Sequence, residues 1–194
     1  MASPEPERPI SDYLDRLMRR GCFEALWPLF AKAPKPAKEM TESYSALRHL
    51  RPLMAAGEPC RVIHIGDGAH ARTGAMFSLK TSAFNISVDP LINLGLVEAW
   101  RSRFEVRRFD WHKARIEDVA DVLNAMPPMP VLLTFVHAHV ELDRILGLLR
   151  WDAAFTLGCC LPGHQFTQTR VPVKWGIDPC VLSEGREYQV LVNR

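Results

Sequence analysis

The sequence predicts an α/β protein: a doubly wound, mainly parallel seven-stranded sheet with a C-terminal antiparallel hairpin, preceded by N-terminal helices. Three observations predict it. From residue 61 onward, short apolar runs alternate with helical stretches, a pattern that implies parallel strands joined by right-handed crossovers. Two of those runs, 131–136 and 153–159, are apolar almost without interruption, as strands buried on both faces are. Near the C-terminus, Cys180-Val181-Leu182 and residues 187–192 flank Ser183-Glu184-Gly185-Arg186, which is a hairpin signal.

In chain order, residues 1–9 are polar and proline-rich and read as a disordered lead. Ser11 or Asp12 can cap a helix carrying Tyr13, Leu14 and Leu17, continued by Phe23, Leu26, Leu29 and Phe30, with Gly21 splitting it in two. Ala33-Pro34-Lys35, with Pro36 directly behind, signals a linker, because proline removes donors and lysine holds the chain in water. A further helix is expected over 41–54, from Tyr44, Leu47, Leu50 and Leu53 at helical spacing, stopped by Gly57 and Pro59. This divides the chain into a helical extension, 1–57, and a sheet domain, 58–194. In the second part the expected strands are 61–65, 85–88, 104–109, 131–136, 153–159, 180–182 and 187–192. The expected helices are 72–81, 91–101, 116–125 and 140–149.

Composition excludes several classes. The chain has 194 residues, 47% hydrophobic and 24% charged, which suits one globular core. A net charge of +2 does not argue for nucleic acid. Arg101, Arg103, Arg107, Arg108, Lys113 and Arg115 crowd one stretch, and a solvated face is the first reading of it. The five cysteines, two of them adjacent at Cys159-Cys160, make a poor disulfide framework. No apolar run is long enough to span a membrane. A reduced, soluble, cytoplasmic protein is expected.

The first chemical element is Gly66-Asp67-Gly68-Ala69-His70-Ala71, between a strand and a helix. Glycine lets the backbone turn sharply and approach a ligand, and the amides opening the next helix then face it. The second is Asp89-Pro90, ending the next strand about twenty residues on, where a carboxylate can accept two hydrogen bonds from a ribose diol. The same pair could instead cap the following helix. The third is Phe109-Asp110-Trp111, an acid and an aromatic suited to an adenine, or equally a turn aspartate and a core tryptophan. Together they point to an adenosine-containing cofactor.

The region 61–194 resembles the class I S-adenosylmethionine-dependent methyltransferase family, which has a Rossmann-like fold. The resemblance is carried by Gly66-Asp67-Gly68, Asp89, Asp110 and the final hairpin. It implies a sheet order of 3-2-1-4-5-7-6 with the seventh strand antiparallel, and S-adenosylmethionine as the cofactor. It also implies cofactor contacts from Gly66, Asp67, Gly68, Ala69, Asp89, Pro90, Asp110, Trp111 and His137. One position departs from the family pattern. The acid two residues before the first glycine is here His64, with Asp67 a partial substitute inside the loop. That departure keeps a non-catalytic binding or scaffold domain open as an alternative.

After the fourth strand stands His137-Ala138-His139, with Cys159-Cys160 and His164 after the fifth. His137 and His139 are the catalytic candidates, as proton acceptors near neutral pH. The same residues could form a zinc site, although no Cys-x-x-Cys pair supports one, or could simply cap and pack. This arrangement is similar to a subgroup of RNA methyltransferases with His-x-Cys-Gly and Cys-Cys at those strand ends, but the first element here reads His-Ala-His without the Cys-Gly, which leaves the acceptor unknown with RNA among the candidates. No Asn-Pro-Pro-Tyr motif is present, and Pro179-Cys180 lies in the hairpin, far from the expected site of a cytosine nucleophile. An NAD(P)-dependent oxidoreductase is the rival enzyme: Gly66, Gly68, Ala71 and Asp89 fit a dinucleotide loop, but the hairpin and the lack of a Tyr-Lys pair oppose it. The N-terminal helices could cover the cleft or make homodimer contacts.

Overall fold

The computed structural model describes residues 12–19, 21–54, 58–158 and 165–193. The N-terminal helices are α1 (Asp12–Arg19), α2 (Phe23–Phe30) and α3 (Pro36–Leu50), the last followed by a single 3-10 turn, Arg51–Leu53. Then come β1 (Arg61–Ile65), α4 (Arg72–Lys80), β2 (Phe84–Val88), α5 (Leu94–Arg103) and β3 (Phe109–His112). The chain continues through α6 (Ile116–Asn124), β4 (Val131–Val136), α7 (Leu142–Leu148) and β5 (Ala153–Leu157) to β6 (Lys174–Ile177) and β7 (Glu187–Val192).

One seven-stranded sheet runs in the order β3-β2-β1-β4-β5-β7-β6. The first four pairings are parallel, whereas β7 lies antiparallel to both β5 and β6. This is the order and the reversed seventh strand that the family resemblance implied. The register is level at the centre: Ile65 of β1 stands beside Val88 of β2 and Phe135 of β4. The carboxyl ends of these three strands therefore open together, where open parallel sheets bind ligands.

The continuous apolar strands are buried on both faces. Val62 and Phe155 turn to the face that α3 and α4 cover, packing with Leu47, Phe77 and Tyr188. Ile63, Ile65 and Leu133 turn to the other face, against Leu142 and Ile145 of α7. Each large apolar side chain fully buried there contributes about 1.5–3 kcal/mol. The N-terminal helices belong to the first of these cores: Tyr13, Leu17, Leu26, Leu29 and Phe30 are fully buried in it. Gly21, at φ +67°, separates α1 from α2 as the sequence suggested.

Beyond shifts of a few residues at several ends, such as α5 at Leu94–Arg103 and α7 at Leu142–Leu148, three elements differ from the sequence reading. The helix expected over 41–54 begins five residues earlier, because Pro36 takes the first helical position, where its missing N–H costs nothing. Residues 104–109 do not form a strand. Glu105 adopts a left-handed φ of +51° and Val106 N–H bonds to Arg101 O, so this segment closes α5 as a Schellman cap and β3 starts only at Phe109. Cys180–Leu182 is likewise no strand. Asp178 takes the amide of Cys180 on its side chain and that of Val181 on its carbonyl, which curls the segment into a turn. The partner of β7 is instead β6, upstream of that turn. Among the described residues no helix is long and apolar enough to cross a membrane.

Candidate functional site

The loop after β1 is built around two glycines with positive φ, Gly66 at +68° and Gly68 at +71°. A Cβ on Gly66 would meet Ala138 at 2.8–2.9 Å, so the loop presses directly on the segment leaving β4. A Cβ on Gly68 would meet nothing within 4 Å. Gly68 thus faces open space at the carboxyl edge of the sheet, the geometry of a backbone cradle. Gly74, in the first turn of α4, was missed by the sequence reading. Its Cβ would fall 2.2 Å from Ser87 Oγ, so glycine alone lets α4 lie close on β2.

Asp67 organises this loop. Its carboxylate accepts the backbone N–H groups of Thr73 and Gly74, both at 2.8 Å, and the Ser87 hydroxyl at 2.7 Å. These are opening amides of α4, which have no partner within the helix. Burial pushes the carboxyl up to about 6, and its hydrogen bonds offset only part of that. His64 takes no part in the loop. It is fully buried under α4, with Nδ1 2.8 Å from Thr134 Oγ1, Nε2 3.2 Å from Asn85 Oδ1 and its ring edge-on to Phe77. Burial lowers its pKa to about 3, so the imidazole is neutral.

Asp89, at the end of β2, is buried, with Oδ2 accepting Gly68 N–H at 3.0 Å and Oδ1 accepting Leu91 N–H at 2.7 Å. It does not cap the next helix; Asn93 does, through Leu96 N–H at 3.1 Å. Each carboxylate oxygen can accept more than one bond, so acceptor capacity toward a diol remains. Ala69 O accepts Asn93 N–H at 2.8 Å and ties the two loops together. Pro90 and Leu91 are exposed at the rim, Leu91 by 71%.

Asp110 is exposed and lies inside β3, opposite Ile86, rather than at the strand end. The end is His112, whose carbonyl accepts Asp89 N–H at 3.2 Å. Trp111 is half-buried between Phe109 and the Arg101 guanidinium, which sits 4.8 Å over its ring. The arginine cluster is partly used internally: Arg101 pairs with Glu98, and Arg108 donates to Ser82 O.

His137 leaves β4 in the left-handed region, at φ +56°. Its Nε2 is 2.5 Å from Glu42 Oε2 and 3.2 Å from Lys38 Nζ, so the candidate histidine meets two residues of α3. The Glu42 side chain is fully buried. Its Oε1 has no hydrogen bond and sees Lys38 Nζ at 3.4 Å. Sequence reasoning missed both residues. Lys38 and Glu42 stand four apart, the usual signature of a solvated helix pair. The available signal was that residues 40–47 hold one charge among apolar and hydroxyl side chains. The same helix closes over the loop, with Glu39 paired to Arg72 and Ser43 Oγ 3.2 Å from Thr73 Oγ1. His139 is exposed two residues beyond His137. Cys159, Cys160 and His164, like the lead 1–9, lie outside the described residues. Among the described residues no group of three or more His, Cys, Asp or Glu side chains could hold a metal ion.

No protein-family model matches the sequence, and no curated protein matches it. Solved structures do share its fold. MtNAS in complex with MTA and tNA aligns with a TM-score of 0.59 at 13% identity, over 95% of this chain and 74% of that one. A mutant of MtNAS in complex with S-adenosylmethionine aligns at 0.55 and 13% identity, over 94% and 76%. The bifunctional kinase-methyltransferase WbdD aligns at 0.51 and 19% identity, over 98% of this chain but 44% of WbdD, less than half its length. At these identities the likeness is one of architecture. The chain has the Rossmann-like fold of the class I S-adenosylmethionine-dependent methyltransferases.

Proposed function

We propose that this chain is an S-adenosylmethionine-dependent methyltransferase whose cofactor lies across the carboxyl ends of β1, β2 and β3. The observation that carries the reading is the pairing of Gly68 with Asp89. A backbone facing open space is tied at 3.0 Å to the one buried carboxylate at the end of β2. In this reading Gly66 and Gly68 give the methionine end room, with Asp67 and Ala69 holding the loop. Asp89 takes the ribose diol, and Pro90 and Leu91 offer apolar surface beside it. Asp110 and Trp111 serve the adenine.

The cofactor supplies an electrophilic methyl group. The protein then has to align a nucleophile with it and accept a proton. In this reading His137 is the proton acceptor, supported by its contact with Glu42. A contact of 2.5 Å between Nε2 and the Glu42 carboxylate shares one proton between the ring and the acid. Glu42 then positions the ring, as a buried carboxylate positions histidine in other acid–base sites. Lys38 balances the carboxylate's charge. His139, exposed two residues beyond His137, stands on the acceptor side.

Calorimetric titration with S-adenosylhomocysteine and, separately, NADH tests the reading. S-adenosylhomocysteine is expected to bind, and Asp89→Ala to weaken it by about ten-fold or more, the loss of a hydrogen-bonded charged acceptor. Binding of NADH alone would transfer the cleft to a dinucleotide enzyme and sink the proposal.

A further inference from the structure

A cavity lies at the opposite end of the sheet from the glycine loop. It measures about 300 Å³, at the lower end of the range for ligand pockets. Its walls mix polar groups with the apolar side chains of Ile63, Leu123, Met126, Met129 and Trp151. Arg61, the first residue of β1, also lines it.

Arg61 is an anomaly in such a place. It is only 4% exposed, yet its guanidinium makes one hydrogen bond, from Nη2 to Pro127 O at 3.3 Å. Its Nε is buried with no acceptor, and among the described residues Arg61 forms no ion pair. A guanidinium keeps its charge at any physiological pH and carries five donors, so burying it without an anion is costly. Two other charges line the cavity, both on exposed residues: Arg150 and Asp152. Asp152 already uses Oδ2 to accept Val131 N–H at 2.7 Å. Two guanidiniums against one carboxylate leave one positive charge unbalanced.

We propose that this cavity binds a small anion with an apolar body. Arg61 holds the oxyanion through the donors that lack acceptors. Leu123, Met126, Met129 and Trp151 enclose the body. The bound group supplies the charge and the acceptors that the chain itself does not. The head can be a carboxylate or a phosphate ester, since a guanidinium takes either in the same forked geometry.

The test is calorimetry and thermal melting of the full chain with sodium hexanoate and, separately, inorganic phosphate at millimolar concentration. Hexanoate is expected to bind saturably and raise the melting temperature. Arg61→Met is expected to reduce its affinity about ten-fold or more while leaving S-adenosylhomocysteine titrations unchanged. Met129→Trp, which fills the cavity and leaves Arg61 intact, is expected to abolish binding; it carries the test if Arg61→Met does not fold. Phosphate binding that is lost in the same variants, without hexanoate binding, supports the site and assigns its head to a phosphate ester. No binding of either probe, or binding unchanged in the variants, overturns the proposal.

Discussion

His64 and Asp67 show how two neighbouring residues exchange the duties their positions suggest. The histidine stands where the family resemblance places an acid, but it serves the core as a neutral ring between Thr134 and Asn85. The aspartate, one residue into the turn, ties the loop to α4. Their titrations oppose each other. With a folded pKa of about 3 against 6.5, His64 contributes stability that is complete above pH 6.5 and is lost as the pH falls toward 3. With a folded pKa of about 6 against 3.8, Asp67 contributes stability that is complete below 3.8 and is lost as the pH rises through 6. The unaltered protein is therefore expected to gain on Asp67→Asn as the pH falls from about 6 to about 4. Urea unfolding of both proteins across that range checks it; a difference that is flat or shrinks on acidification refutes the assignment. At this scale the glycine spacing and Asp89 were legible because turns and strand ends have local rules. Glu42 was not, because only tertiary packing separates a buried i,i+4 pair from a solvated one.

Among the elements, α3 does the most to join parts distant in sequence. Beyond its contacts at the cleft, it meets the turn after β6 through Asp178. Tyr13 of α1 and Ser45 of α3 both donate to Asp178 Oδ2 at 2.6 Å, and His49 Nε2 lies 3.4 Å away. Burial pushes this carboxyl up, but bonds from His49, Ser45, Tyr13 and the Cys180 amide outweigh it and hold it well below the usual carboxylate range. Its stabilisation is thus present above about pH 4 and is lost as the pH falls further. Asp178→Ala leaves four donors, those of Tyr13, Ser45, His49 and the Cys180 amide, without this acceptor, for an expected loss of about 2–4 kcal/mol in urea unfolding at pH 7, and a loss under about 1 kcal/mol would refute the role. None of this was legible in the sequence, which placed a strand just after Asp178. The alternation of 104–109 misled for a similar reason: its period is that of a strand, but Glu105 in the left-handed region overrides it.

For the molecule as a whole, strand and helix alternation and buried apolar runs were enough to read the class, because it follows from periodicity and crossover rules, whereas the sheet order came only from the family resemblance. The division at residue 57 reflects a change in pattern, while the core runs across it. Tyr13, Leu17, Leu29, Phe30 and Leu47 from one side pack with Phe77, Phe155 and Tyr188 from the other. The two spans are therefore expected to unfold as one unit. Far-UV and near-UV circular dichroism should give coincident melting curves, and residues 58–194 alone should show no cooperative transition. A separate early transition for the N-terminal helices would contradict this.

The bond between Tyr13 and Asp178 spans 165 positions of the chain. On the ribosome, residues are added at about 5–20 per second, so Tyr13 waits on the order of ten seconds for its acceptor to be made. Through that interval α1 and α3 have no Asp178 to bind. The wall of the cleft that α3 supplies gains this anchor only once Asp178 has been made, long after α1 and α3 themselves.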